Sequence, residues 1–287
     1  MDVATEDRRP SNIGPVILTN SGALNEFMPG VQGSDSIQTP GESTPVDSPR
    51  QAPVDPKTGL RPLELFGGAI KAALPPAFID VSLVRDVPDN QEVYVDENTN
   101  VSAIVEILEA TEEAEVQAAL EAAGVAPGTG GLATYLFLDL AEANETEEAP
   151  QVLFAEEHAG PEMFPKIPGR HARAAAAGRQ RAAKRFREGA AAAAGPAEDV
   201  AVYLAVLRLA ELETDILVTV NVPLKPTQSG NRNESLPEDN APTYQSFIGH
   251  QPGENESGAT GGGSTTGLKA LQAILQSFEI LDWSLFC

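Results

Sequence analysis

A stretch of short apolar runs separated by turn residues, Leu63 to Glu109, constrains the fold of this 287-residue chain more than any other feature. Leu63–Phe66 and Ala69–Leu74 are two such runs, and the pair Gly67-Gly68 joins them. Both glycines can adopt a positive φ without a Cβ clash, so the pair predicts a β-hairpin with a two-residue turn. The prolines that follow Leu74 end the second strand, because proline has no N–H to donate to a sheet.

The second half of the stretch predicts turns that alternate with further strands. Phe78–Val87 favours a short helix with Ser82 as its N-cap. The tetrapeptide VPDN at 87–90 favours a turn, since proline presets φ and Asp and Asn tolerate tight backbone. Apolar residues then predict strands over Gln91–Val95 and Ala103–Leu108.

The remaining regular elements are predicted from apolar spacing and capping residues. Strands that follow one another through short turns favour an antiparallel sheet. The helices predicted beyond residue 110 are Glu112–Ala123, capped by Thr111, and Leu268–Ile280, capped by Thr266. The strands predicted there are Leu132–Leu140, Gln151–Ala155, Val200–Leu209 and Asp215–Val222, the third of them buried on both faces.

Three segments have the composition of unpacked chain. We expect residues 1–60 to be a disordered tail, since they contain too little apolar surface to offset chain entropy. We expect one domain over 61–287, with low-complexity inserts near 156–198 and 225–266. The segment 170–188 holds seven basic residues and one acidic residue. It is either a nuclear-localisation or nucleic-acid segment, or a solvated Ala/Arg helix or insert that docks on the acidic body.

The charge of the chain limits its partners. It has 42 acidic against 19 basic residues and a net charge of −23, which disfavours contact with a phosphate backbone and favours basic partners. Cys287 is the single cysteine, so no internal disulfide can form. We expect neither a signal peptide nor a membrane span, because no apolar run is long enough.

No motif for covalent chemistry is present. The glycine-rich segments at 128–131 and 261–263 lack the lysine of a phosphate-binding loop, and no G-x-S-x-G elbow occurs. His158, His171 and His250 share no metal-ligand spacing. We therefore expect no catalytic residue, no cofactor and no metal.

Several segments together resemble one protein family, the Ran guanine nucleotide release factors, or Mog family. The matching segments cover about half of the chain, and VPDNQEV inside the frame LFGGA…LPP…IDVS is the most specific of them. The tail, the basic segment near 170–195 and the polar insert near 226–266 depart from the family pattern. The matches are LFGGAI (65–70), LPPAFIDVS (74–82), RDVPDNQEVYV (85–95), IVEILE (104–109), LRLAELETDILVTVNVPL (207–224) and DWSLF (282–286).

The resemblance implies both a fold and a function. The fold is α+β: a twisted antiparallel β-sheet flanked by helices on both faces, an α/β/α sandwich similar to the PsbP proteins of photosystems. The function is binding to the GTPase Ran, promotion of guanine nucleotide release and support of nuclear protein import. The expected protein is thus a monomeric binding factor of nucleus and cytoplasm rather than an enzyme, with no nucleic-acid or membrane partner.

The resemblance also implies eight residues that contact Ran. They belong to the motifs around VPDNQEV and IVEILE, and for several of them a purely structural role, as a cap, an ion pair or a turn residue, is an equal alternative. They are Asp80, Arg85, Asp89, Asn90, Gln91, Glu92, Glu106 and Glu109. Residues three apart on one strand face opposite sides. We therefore expect Glu109 to lie beyond the strand end, so that Glu106 and Glu109 form one acidic edge beside the turn.

Two functions of other classes stay open. An acidic adaptor or chaperone for basic proteins would bind histones and polylysine as strongly as Ran. A small-molecule-binding or enzymatic module on the same fold would require a deep apolar pocket with converging polar groups.

Overall fold

The structure is a computed structural model, and it describes residues 52–127, 130–146, 148–184, 195–224, 242–249 and 262–286. Most of the predicted tail, residues 1–51, lies outside the described residues. The described strands form a three-stranded and a seven-stranded sheet, in which every neighbouring pair is antiparallel. The predicted antiparallel sheet is confirmed.

The small sheet has the order β1-β2-β10, and the large sheet has the order β3-β4-β5-β9-β8-β7-β6. The strands are β1 Arg61–Leu65, β2 Ile70–Leu74, β3 Phe78–Asp80, β4 Gln91–Asp96, β5 Ser102–Glu109, β6 Gln151–Glu156, β7 Ala172–Lys184, β8 Gly195–Leu209, β9 Thr214–Pro223 and β10 Glu279–Ile280. The helices are α1 Glu113–Ala122, α2 Leu132–Ala143, α3 Tyr244–Ile248 and α4 Gly262–Ser277.

Helices cover both faces of the large sheet, as the family resemblance implies. Alternate residues of β8, such as Tyr203 and Leu207, pack in the core that contains Leu271 and Leu275 of α4. The residues between them, such as Leu204, pack with α2 on the opposite side. We call these two sides the α4 face and the α2 face. Because β8 is apolar on both sides, the sheet must be covered twice.

The pairing of β8 with β9 is fixed by an ion pair as well as by apolar packing. Arg208 lies opposite Asp215 in the register and donates to its carboxylate through Nε at 2.8 Å and Nη2 at 2.6 Å. The hydrogen bond to Asp215 raises the pKa of Arg208 above its ordinary value. Arg208 Nη2 also donates to the Thr111 carbonyl at 3.0 Å, which joins the start of α1 to the sheet.

The predicted hairpin of β1 and β2 is present, but its turn is longer than predicted. Leu65 pairs with Ile70, so four residues rather than Gly67-Gly68 alone make the connection. Phe66, Gly67 and Gly68 all have positive φ, at 50°, 65° and 90°. A two-residue turn would require Phe66 and Ala69 to pair as the last residues of the two strands. Phe66 cannot pair in this way, because its backbone is left-handed and not extended.

The prediction of a strand at Leu132–Leu140 is wrong, because this segment forms helix α2. The alternating leucines suggested a strand, but the buried apolar residues follow the helical spacing i, i+3, i+4, i+7, i+8: Ala133, Leu136, Phe137, Leu140 and Ala141. Glu157 stabilises the start of the helix. Its carboxylate accepts from the backbone N–H groups of Gly131, Ala133 and Thr134, at 2.9, 2.9 and 3.2 Å.

The prediction of a low-complexity insert at 156–198 is wrong for the residues described there. Residues Ala172–Lys184 of the Ala/Arg segment form β7, which pairs with β6 and β8, rather than a helix or an insert. Its alanines, Ala174 to Ala177, are buried where small side chains fit between the helices and the sheet. Arg181 lies 3.5 Å from Glu148 and 3.8 Å from Asp199, so basic residues of β7 contact acidic residues of the body.

The predicted insert at 225–266 also contains packed chain. Residues 225–241 and 250–261 lie outside the described residues. Between these two segments, α3 places Phe247 fully inside the core, and α4 begins at Gly262 rather than after Thr266. Helix α4 ends at Ser277, and Glu279–Ile280 joins the small sheet as β10.

The prediction of a short helix within Phe78–Val87 is wrong except for the 3₁₀ turn Val81–Leu83, because Phe78–Asp80 forms β3. Two caps also differ from prediction. Glu112 rather than Thr111 precedes α1. Asp80 rather than Ser82 caps the 3₁₀ turn Val81–Leu83, since its carboxylate accepts the Ser82 N–H at 2.8 Å. In the second case Asp80 is the residue just before the turn, so its carboxylate is placed to accept an N–H group that has no partner within the turn.

The close contact of α2 with β7 predicts that Gly178 is needed for stability. A Cβ on Gly178 would overlap the Gln151 carbonyl oxygen and lie 2.7 Å from Cζ of Phe137. We expect Gly178→Ala to lower the free energy of unfolding by about 1–3 kcal/mol, measured by urea denaturation. Gly169→Ala is the control, because a Cβ there meets nothing within 4 Å. Equal midpoints for the two variants would contradict this packing.

Candidate functional site

The candidate site is built on the turn that enters β4. The backbone N–H of Gln91 donates to the Pro88 carbonyl at 2.9 Å and closes the turn. Asp89 and Asn90 are exposed on it. The Ile107 N–H donates to the Asn90 carbonyl at 2.9 Å, and Asn90 Nδ2 donates to the Ile107 carbonyl at 3.2 Å. The turn is therefore tied to β5 and holds Asp89 outward.

Glu106 is a buried carboxylate on the α2 face. It lies opposite Gln91 in the register, and its side chain is 3% exposed. Gln91 Nε2 donates to Glu106 Oε1 at 2.7 Å, and Asn90 Nδ2 lies 3.4 Å from the same oxygen. Glu106 thus supports the turn from inside the protein.

Glu109 does not lie beyond the strand end, so the predicted acidic edge of Glu106 and Glu109 is wrong. Strand β5 continues through Glu109, which pairs with Thr214, and Ala110 still donates its N–H to the Glu213 carbonyl at 2.8 Å. The ladder with β9 keeps the strand extended. Glu109 is exposed and faces the side opposite to the buried Glu106.

Asp80 and Glu92 lie on the α4 side of β3 and β4, where both are half-buried. Glu92 Oε1 accepts the backbone N–H of Phe66 at 2.6 Å. Burial raises the pKa of Glu92; the Phe66 N–H opposes this shift, and the negative charge of Asp80 adds to it. Glu92 therefore connects the large sheet with the hairpin of the small sheet, and Asp80 places a second negative charge near it.

Arg85 follows the 3₁₀ turn and is exposed. Beside it, the apolar side chains of Leu83 and Val84 are 49% and 42% exposed. They lie in the segment predicted as a helix, and no functional role was predicted for them. Their position between Asp80 and Arg85, two residues of the family motif, is the feature of the sequence that could have indicated an exposed apolar contact.

The site offers charge and hydrogen bonds. Within the described residues, no three His, Cys, Asp or Glu side chains are grouped to hold a metal ion. In the same ranges, no helix is both long and apolar enough to cross a membrane. The side chains that reach solvent at the turn are an acid, an amide and a nearby arginine, a set suited to binding another polar surface.

The model of one protein family, described as Ran-interacting Mog1 protein, matches residues 63–223, more than half of the chain. The chain belongs to the Mog1 family. The matched range contains all eight candidate residues, from Asp80 to Glu109.

Individual relatives and a solved structure are similar over most of their own length. The nuclear import protein mog1 of Schizosaccharomyces pombe is 28% identical over 226 residues, which span 78% of this chain and 99% of that protein. The Ran guanine nucleotide release factor of Homo sapiens is 34% identical over 181 residues, 61% of this chain and 83% of that protein. The crystal structure of the Saccharomyces cerevisiae Ran-binding protein Mog1p covers 79% of this chain and 98% of its own, with 24% identity and a TM-score of 0.46.

In this Mog1-family chain the eight candidate residues divide by exposure. Four reach solvent: Arg85, Asp89, Asn90 and Glu109. Asp80 and Glu92 are half-buried, and Gln91 and Glu106 are buried. Asp80 is confirmed as a cap. Gln91 and Glu106 are paired across β4 and β5, Asp80 lies opposite Tyr94 of β4, and Glu109 lies two residues beyond Ile107, to which the turn is hydrogen-bonded.

The division predicts opposite results for two acids of the same strand. Glu106→Ala leaves the buried Gln91 amide without its carboxylate and should lower the free energy of unfolding by about 1–3 kcal/mol. Glu109→Ala removes an exposed charge and should stay within about 0.5 kcal/mol of wild type. Denaturant unfolding followed by circular dichroism measures both. If Glu109→Ala is the more damaging change, the assignment of the two faces is wrong.

Proposed function

We propose that this protein binds the GTPase Ran, promotes release of its guanine nucleotide and so supports nuclear protein import. The observation that carries the proposal is the family match over residues 63–223, a range that contains all eight candidate residues. Relatives named Ran guanine nucleotide release factor and nuclear import protein agree with it. The protein acts by binding, in nucleus and cytoplasm, and makes or breaks no covalent bond.

Nucleotide release by binding has a defined energetic requirement. The factor must bind the nucleotide-free or distorted GTPase more tightly than the nucleotide-bound form, because only differential affinity shifts the equilibrium. An exposed carboxylate suits this role. It can pair with a cationic group of the GTPase that otherwise neutralises phosphate, and it repels the phosphate itself.

The geometry supports a division of roles within the proposed site. Asp89 is the first candidate for direct contact, because its carboxylate is exposed on a turn that two strands hold in place. Asn90, Arg85 and Glu109 are further exposed candidates. Gln91 and Glu106 act indirectly, by fixing the turn from the α2 face.

The net charge of −23 contributes to association with a basic surface. Such attraction acts over about 8 Å at physiological ionic strength and raises the association rate more than the final affinity. The same charge favours the second candidate function, that of an acidic adaptor for basic proteins, so the test must separate local from overall electrostatics.

We expect Asp89→Lys to weaken Ran binding at least about tenfold, which is about 1.4 kcal/mol. Release of a fluorescent nucleotide from Ran should slow with it, because a contact of the bound state is lost. Titration calorimetry and stopped-flow fluorescence measure the two effects. The melting curve should stay near that of wild type, since Asp89 is exposed.

Glu97→Lys is the matched control, since it makes the same charge change on the same hairpin. Glu97 is exposed beyond the other end of the six-residue strand β4, at ~20 Å from Asp89 by strand length. Normal Ran binding by Glu97→Lys supports a local site. If both variants lose binding equally, and polylysine binds wild type as well as Ran does, the acidic adaptor is the better description.

A further inference from the structure

The turn between β1 and β2 is tied to candidate residue Glu92 and has an uncommon backbone conformation. Phe66, Gly67 and Gly68 follow one another in the left-handed region, with φ of 50°, 65° and 90°. Glycine adopts this region freely, but Phe66 does so only at a cost. A bulky residue stays in such a conformation when the surrounding structure holds it there.

Two sets of contacts hold the turn. On one side, Glu92 Oε1 accepts the Phe66 N–H at 2.6 Å across 26 positions of sequence, and a carboxylate makes this hydrogen bond stronger than a neutral acceptor would. On the other side, the Ala69 carbonyl accepts the N–H groups of Leu281 and Asp282, at 2.8 and 3.1 Å. The Phe66 ring also packs against the core.

The held turn presents bare backbone to solvent. Gly67 is exposed, and a Cβ built on Gly67 or Gly68 meets nothing within 4 Å. No neighbouring atom therefore excludes a side chain at these two positions. Leu281, which is bonded to Ala69, is 48% exposed, so the turn forms part of a surface with apolar and acidic members.

We propose that the turn Phe66–Gly68 is a second contact surface for the partner, and that Glu92 positions it through the hydrogen bond to Phe66 instead of pairing with the partner's charge. The inference rests on the proposed function for the identity of the partner. Glu92 is half-buried with one oxygen already committed to Phe66, whereas Asp89 nearby offers an exposed carboxylate for direct pairing. The partner chemistry that fits is a protein surface that contacts exposed backbone and apolar side chains beside a cation.

Comparison of Glu92→Gln with Glu92→Ala tests the positioning role. Glutamine keeps an oxygen acceptor in the same place but has no charge, while alanine has neither. We expect Glu92→Gln to bind Ran within about twofold of wild type and Glu92→Ala to lose at least about tenfold. The Phe66 amide proton, observed by NMR in the protein without Ran, should keep its hydrogen-bonded chemical shift in Glu92→Gln and lose it in Glu92→Ala.

Gly67→Asn tests the contact role of the turn. Asparagine tolerates a positive φ better than other residues with a side chain, so the turn should persist, and the added side chain enters open space. We expect normal unfolding and at least about tenfold weaker Ran binding. Gly169→Asn, at another glycine with open space, should leave binding unchanged.

Three results would overturn the proposal. Loss of binding by Glu92→Gln with the Phe66 amide shift intact would show that Glu92 meets the partner through its charge. Normal binding by Gly67→Asn would remove the turn from the contact surface. An unchanged Phe66 shift in Glu92→Ala would remove the positioning role. Failure of wild type to bind Ran would instead refute the proposed function and the contact role together, while the Phe66 shifts would still decide the positioning role.

Discussion

The pairing of β8 with β9 is the constraint on which the rest of the structure depends. Both strands are buried along most of their length, and alternate residues of β8 belong to different cores. Helix α4 must cover one side and α2 the other, because neither apolar face can remain in water. The bidentate pair of Arg208 and Asp215 stabilises one register, and a slip by one residue would exchange the two faces.

The candidate site depends on this pair through β5. Strand β5 pairs with β9 over eight residues and carries β4 on its other edge. The core therefore determines where β4 and β5 lie, and the polar residues of these two strands are divided between the two faces of the sheet. One half of the motif, Gln91 with Glu106, becomes internal support, and Glu92 on the opposite side reaches the hairpin of the small sheet.

Local chemistry explains which parts of the fold were predictable. The turn at 87–90 and strand β4 after it depend on proline, Asp, Asn and a short apolar run, whose preferences act over a few residues. The errors at α2 and β7 arise where two periodicities compete or where composition misleads. Alternating leucines in α2 fit a strand as well as a helix, and the alanine run of β7 has high helix propensity, which its burial between two strands overrides.

The sequence by itself determined the antiparallel α+β class, the turn that holds Asp89 and the absence of a known motif for covalent chemistry, because each follows from residue types close together in the chain. Only the tertiary structure decided which carboxylates face solvent. Glu106 and Glu109 were expected to share one edge, yet pairing with β9 keeps β5 extended through Glu109, so the first is buried and the second is exposed on the opposite side. The hydrogen bond from the Phe66 N–H to Glu92 joins two sheets. It depends on how the shared core packs the sheets together, and no local preference of either residue predicts it.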